Sequence, residues 1–207
     1  MTDSASCLSM TKNSRCAVIV AHPDDETLWA GGTILSHPKA QWTIVTLCRE
    51  NDPDRAPRFR EACAIYGAEC RMANMDDGLE QMPLPDHEVQ ATLLRLLPLR
   101  RYDLVLTHGC RGEYTRHLRH EEVSCAVTAL CRTNRLYAHQ VLYFAYSDHE
   151  KKHLPQPDAH ADIKITLSKD IWQRKYEIMT DTYGFVPDSW EARTTPKQES
   201  YWERAHC

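Results

Sequence analysis

Apolar positions along this 207-residue chain fall into two alternating patterns. Short β-branched runs at Cys16 to Ala21, Trp42 to Leu47, Tyr102 to Thr107 and Val141 to Tyr146 predict strands buried on both faces, and Glu69 to Met75 is a weaker candidate. Between them, Arg58 to Tyr66, Val89 to Leu97, Val123 to Leu130 and Ile171 to Met179 carry helical spacing, with Leu93, Leu94, Leu96 and Leu97 gathered on one side of the second. Strand followed by helix, repeated at this interval, predicts an α/β fold: a Rossmann-like three-layer sandwich around a mainly parallel sheet. Residues 1–14 read as a loose, polar N-terminal segment. The tail from Thr182, with Gly184, Pro187 and Pro196, reads as irregular structure wrapped on the body. No internal repeat interrupts the pattern, so a single domain over 1–207 is expected.

Composition narrows the function classes. The chain is 42% hydrophobic and 26% charged, as a globular protein should be. Its 25 Lys plus Arg against 29 Asp plus Glu leave a net charge of −4 without a long basic run, so nucleic acid has no electrostatic footprint to bind. Apolar stretches stop short of a membrane span, and none precedes Val18 as a signal peptide would require. Nine cysteines without a CxxC pair fit neither a disulfide framework nor a zinc ribbon; they point to a reducing, cytoplasmic setting. A homo-oligomer is compatible with all of this.

Ligands of parallel sheets sit beyond the carboxyl ends of the strands, so the residues that follow each strand carry the chemistry. After the first come His22-Pro23-Asp24-Asp25-Glu26, then Gly31-Gly32. A helix cap and a favourable dipole explain one or two of these acids. Three consecutive carboxylates behind a histidine cost free energy unless a cation or the helix terminus offsets their repulsion. After the strand ending at Thr107, His117 and His120 stand three apart at the start of a helical segment and project from one face. Both clusters open on the same rim. A histidine and a carboxylate from one loop, with a histidine from the other, make the three-ligand set of a catalytic zinc with one open position.

His22-Pro23-Asp24-Asp25-Glu26 behind a hydrophobic strand, with Gly31-Gly32 and a later HxxH, resembles the LmbE/PIG-L family of zinc-dependent de-N-acetylases. The resemblance extends to Arg55 and the helix ending at Tyr66-Gly67, to Asp76-Asp77-Gly78 after the third strand, and to Lys175. It implies a hydrolase that removes an acetyl or small acyl group from an N-acylated amino sugar or related small molecule. His22, Asp25 and His120 would hold Zn2+ or another divalent transition metal, and Asp24 would be the general base for the activated water. His117 would protonate the leaving amine or stabilise the oxyanion. Arg55, Tyr114 and Asp77 are the substrate-binding candidates, with Arg58, Arg60, Asp76 and His108 behind them.

One departure stands out. The family pattern His-Pro-Asp-His is here His117-Leu118-Arg119-His120, with an arginine in place of the aspartate that orients the catalytic histidine. A nearby arginine would depress the His117 pKa, leaving Glu113 or Glu121 to take the orienting role. The competing readings are a metallohydrolase of non-sugar amides or esters, and a non-catalytic relative that keeps the pocket for binding.

Overall fold

The computed structural model describes residues 8, 10–98, 100–114 and 116–203. The chain runs β1 (Arg15–Val20), α1 (Asp25–Ser36), β2 (Gln41–Cys48), α2 (Arg55–Tyr66), β3 (Glu69–Met75), α3 (Asp86–Leu96), β4 (Arg101–Thr107), α4 (Leu118–Arg132) and β5 (Tyr137–Phe144). A two-stranded ribbon follows, β6 (Tyr146–Ser147) with β7 (Gln156–Pro157). Next come β8 (Ile163–Thr166), α5 (Lys169–Glu177) running into a π-helical turn at Ile178–Thr182, α6 (Trp190–Thr194) and β9 (Gln198–Trp202).

Seven strands form one sheet in the order β3-β2-β1-β4-β5-β9-β8. The first five are parallel, β9 is antiparallel to β5, and β8 is antiparallel to β9. Side chains alternate across a strand, which sorts β1 between two cores. Cys16, Val18 and Val20 join Leu28, Trp29, Ile34 and Phe59 on one face. Ala17, Ile19 and Ala21 join Val89, Leu93, Val123, Val127 and Leu130 on the other. All six of these β1-side residues are 0% exposed, which is why the strand reads as one unbroken apolar run. Each fully buried Leu, Ile or Val contributes about 1.5–3 kcal/mol, so the central strands anchor the loops that leave them. Helices cover both faces, giving the expected three layers.

Two regions differ from the sequence reading. The tail beyond Thr182 is not irregular throughout: it supplies α6 and β9, and β9 lies inside the sheet. Glu199 and Ser200 of β9 are 0% exposed, so the strand is buried with polar side chains that a hydropathy pattern assigns to solvent. Glu199 accepts the backbone N–H groups of Gly32 and Thr33 at 2.7 Å each, the Thr33 hydroxyl at 2.6 Å and Lys175 Nζ at 2.7 Å. Leu167 and Glu199 occupy the space that a Cβ at position 32 would need, so this contact requires Gly32. Of the N-terminal segment, residues 1–7 and 9 lie outside the described residues. Of the remainder, Leu8 and Met10 pack against the core and Ser14 is buried, while Thr11, Lys12 and Asn13 are exposed.

In this strand order the chain leaves β1 toward β2 on one side and β4 on the other, so the loops after β1 and β4 diverge and open a crevice. Both sequence clusters stand there.

Candidate active site

Beyond β1, the backbone turns sharply. Asp24 holds φ 103°, outside the comfortable region for a side-chain-bearing residue, and its N–H donates to Glu26 Oε2 at 3.0 Å. Glu26 is itself fully buried and accepts the hydroxyls of Thr27 at 2.5 Å and Tyr183 at 2.7 Å. The turn separates two adjacent carboxylates. Asp25 points inward, where its Oδ2 accepts the His22 N–H at 3.0 Å, while Asp24 Oδ2 meets Arg55 Nη1 at 3.5 Å.

Three potential ligand atoms converge. His22 Nδ1 lies 3.1 Å from Asp25 Oδ2, and His120 Nε2 lies 3.3 Å from His22 Nδ1 and 3.4 Å from Asp25 Oδ2. A tetrahedral zinc with bonds of about 2.0–2.1 Å has ligand-to-ligand edges of about 3.3–3.4 Å, so the three atoms already outline one face of such a site. The donor set, two imidazoles and a carboxylate, suits a divalent transition metal. Burial opposes ionisation of Asp25, but His120 and His108 hold its carboxyl well below the usual range.

Each histidine of the trio is fixed from behind by a carboxylate, the arrangement that sets ring orientation and tautomer at metal sites. His22 Nε2 meets Asp77 Oδ1 at 3.1 Å, and Asp77 is gripped by Arg49 Nε at 3.0 Å, Arg49 Nη2 at 2.7 Å and Gln81 Nε2 at 3.0 Å. His120 Nδ1 donates to Glu113 Oε2 at 2.7 Å. Glu113, 0% exposed, also accepts His108 Nδ1 at 3.0 Å and the Gly109 N–H at 2.9 Å. His108 stands near Asp25 and His120, but the Ala21 N–H donates into its Nε2 at 3.0 Å, so that lone pair is taken. It buttresses the site by stacking on His120 at 3.8 Å.

His117 precedes α4 and stacks on His120 with ring centroids 4.4 Å apart, edge-on to His22 at 4.8 Å. Its Nδ1 is buried without a hydrogen-bond partner. Burial and the neighbouring imidazoles of His120 and His22 push its pKa down to about 4. The depression expected from Arg119 is therefore present, but its source is different. Arg119 turns away, donating to Asp76 O at 2.6 Å, Met82 O at 2.9 Å and Glu122 Oε2 at 2.6 Å, and so pins the loop that carries Asp77. Neither expected acid orients His117: Glu113 serves His120 and His108, and Glu121 is engaged by Arg116 at 2.8 and 2.9 Å.

A cavity of about 400 Å³ opens over this cluster, lined among others by Asp24, Arg55, Leu79, Tyr114, His117 and Trp190. Arg55 and Tyr114, the substrate-binding candidates, both line the cavity. Asp77 also lines it, although its oxygens are committed to His22, Arg49 and Gln81. Arg58 is drawn off to Asp54 at 2.7 Å and to Thr182 O at 2.9 Å, and Lys175 is buried against Glu199. Trp190, which meets the Tyr114 ring edge-on at 4.9 Å, comes from the tail and carried no sequence signal.

The sequence model described as PIG-L, GlcNAc-PI de-N-acetylase, matches residues 17–131, more than half of the chain and both motifs. The chain belongs to the PIG-L family. No curated protein sequence matches it. Among solved structures, PIG-L-like folds recur. The A40926 pseudoaglycone deacetylase Dbv21 superposes with a TM-score of 0.64 at 13% identity, over 94% of this chain and 99% of that one. The zinc-inhibited form of the teicoplanin deacetylase Orf2 gives 0.58 at 13% identity, over 82% and 84%. The 4-carboxy-2-hydroxymuconate hydratase GalB from Pseudomonas putida KT2440 gives 0.57 at 20% identity, over 87% and 83%. These likenesses establish the shared fold. Because it also carries a hydratase, the chemistry of this PIG-L member has to be argued from its own residues.

Proposed function

We propose that this protein is a metal-dependent N-deacetylase that removes an acetyl or small acyl group from an N-acylated amino sugar or related small molecule. The observation that carries the reading is the face of three ligand atoms, 3.1 to 3.4 Å apart, flanked by Asp24 and His117 at the floor of the cavity. His22, Asp25 and His120 would hold the ion. When bound, a divalent ion there acidifies water and polarises an acyl carbonyl.

The remaining work falls to the chain's own groups. Asp24 takes the proton of the attacking water, and its carboxyl is aimed by the Asp24 turn and by Arg55. Burial together with Asp25 and Glu26 raises the Asp24 pKa well above the usual range, which strengthens it as a base and lets it return that proton to the departing amine. His117, which lines the cavity beside the three ligand atoms, hydrogen-bonds the developing oxyanion. Arg55 and Tyr114 serve the sugar-like part of the substrate, and Asp77 acts chiefly by positioning His22.

Acetate release from N-acetylglucosamine conjugates, with and without added zinc, tests the reaction. Asp24→Asn is expected to keep its metal and lose about 10²–10⁴-fold in kcat. Asp25→Ala is expected to lose the metal itself. Full turnover by Asp24→Asn would remove it as the base, and no acetate from the zinc-loaded wild type on any such conjugate would overturn the function.

A further inference from the structure

A second chemically distinctive place lies at the open edge of the sheet, away from the metal-ligand cluster. β3 is the outermost strand on its side, and a cavity of about 340 Å³ beside it is lined by Glu50, Arg60, Cys70, Arg71, Met72 and Arg95, with Leu96. Arg60 comes from α2, Arg71 from β3 and Arg95 from α3, so three arginines from three elements line the cavity together with one thiol and a single acid, Glu50. Arg71 pairs with Glu69, whereas Arg60 and Arg95 make no ion pair among the described residues. Behind Cys70, where α2 turns into β3, sits Cys63. The turn is closed by Gly67 at φ 65° and by the Ala68 N–H donating to Cys63 O at 2.9 Å. Both are free thiols: Cys63 is fully buried, Cys70 half-buried, and they pack in the same apolar cluster.

We propose that Cys70 and Cys63 form a redox-active dithiol whose oxidant is a small anionic disulfide drawn into the arginine-lined cavity. In the first step the Cys70 thiolate attacks one sulfur of the disulfide RS–SR, forming Cys70–S–SR and releasing RS⁻. In the second, Cys63 attacks the Cys70 sulfur, closing the Cys63–Cys70 disulfide, and its thiol proton leaves with the second RS group as RSH. The environment assigns the two roles. The hydrogen bond from Cys63, with support from Arg60 and Arg71, brings the Cys70 thiol down to about 6, whereas burial pushes Cys63 up and keeps it protonated until Cys70 has reacted. No group of the metal cluster takes part, and Cys63 lies about 12 Å further along α2 than Arg55.

The test treats the full chain with oxidised glutathione and follows each cysteine by peptide mass mapping, with exposed Cys125 as internal reference. Wild type is expected to close the Cys63–Cys70 disulfide well before Cys125 is modified. Cys63→Ser, which keeps a hydroxyl donor beside Cys70 but cannot close a disulfide, is expected to accumulate the glutathione adduct on Cys70. Exposed Arg60→Glu with Arg95→Glu is expected to slow the reaction with anionic oxidised glutathione at least about tenfold more than it slows the reaction with neutral hydroxyethyl disulfide, where only the loss of Arg60's support for the thiolate is felt. Modification of Cys125 ahead of Cys70, no adduct on Cys70 in Cys63→Ser, or the same slowing with both disulfides would each overturn the proposal.

Discussion

Glu113 receives the Nδ1–H of His120 at 2.7 Å and leaves the opposite nitrogen of that ring aimed at His22 and Asp25. The same carboxylate oxygen takes the Nδ1–H of His108, so one buried acid fixes the tautomers of two stacked rings. Glu113→Gln keeps the shape but offers one acceptor oxygen and an amide donor where the two ring N–H groups on Oε2 and the Gly109 N–H on Oε1 need two acceptors, and it removes the charge beside both rings. Metal affinity is expected to fall by about 10–100-fold, read by competition against a chelator of known affinity. Unchanged affinity would mean that His120 is oriented by packing alone.

Arg119 connects the departure in the second motif to the first motif's histidine. Its guanidinium holds Asp76 and Met82 from below, and the loop between them carries Asp77, the partner of His22. Arg119→Leu should free that loop while leaving α3 and α4 packed through Leu93 and Val127, which are fully buried. Amide hydrogen exchange is expected to accelerate across residues 77–82 and to stay unchanged in α3. Protection retained across the loop would show that Arg49 and Gln81 suffice to hold it.

Four buried tyrosines give the fold a defined alkaline limit. Burial raises the hydroxyls of Tyr66, Tyr146, Tyr183 and Tyr201 well above the ordinary phenol value. The folded state therefore keeps protons that the unfolded chain gives up above about pH 10. Below that pH the groups are neutral in both states and stability is indifferent to them; above it, stability falls as pH rises. Tyrosinate absorbance should show these four ionising together with loss of near-ultraviolet circular dichroism. Smooth ionisation of all nine tyrosines before unfolding would contradict their burial.

The parallel core was legible because β1, β2 and β4 are buried on both faces and leave a continuous apolar signal. The candidate metal cluster was legible because the residues proposed to hold the ion sit in two short segments, His22 to Glu26 and His117 to His120, that follow β1 and β4. What sequence could not supply was direction. Nothing in the string Gly112 to Glu122 says that Glu113 faces His120 and not His117, or that Arg119 turns toward a loop some forty residues earlier. β9 was hidden for a different reason: its buried side chains are polar, and their partners in α1 and α5 are distant in sequence.

That hidden strand makes the sharpest stability prediction. Lys175 and Glu199 are both 0% exposed and 2.7 Å apart, but they depend on one another unequally. Glu199 has four further donors, from Gly32 N, Thr33 N, Thr33 Oγ1 and Tyr201 OH, whereas Lys175 has Glu199 as its sole ion-pair partner among the described residues. Breaking a buried pair by removing one charge costs about 3–5 kcal/mol when the other is left uncompensated. Glu199→Gln strands the ammonium and is expected to fall in that range. Lys175→Met leaves a carboxylate still held by two backbone amides and two hydroxyls, and its long apolar chain refills the volume, so it is expected to cost clearly less. Combining the two should recover part of the Glu199→Gln loss, because the stranded ammonium is gone. Urea denaturation of the three variants measures the order. If Lys175→Met proves as costly as Glu199→Gln, the amides of α1 are not what holds Glu199, and the pair itself fastens the tail to the sheet.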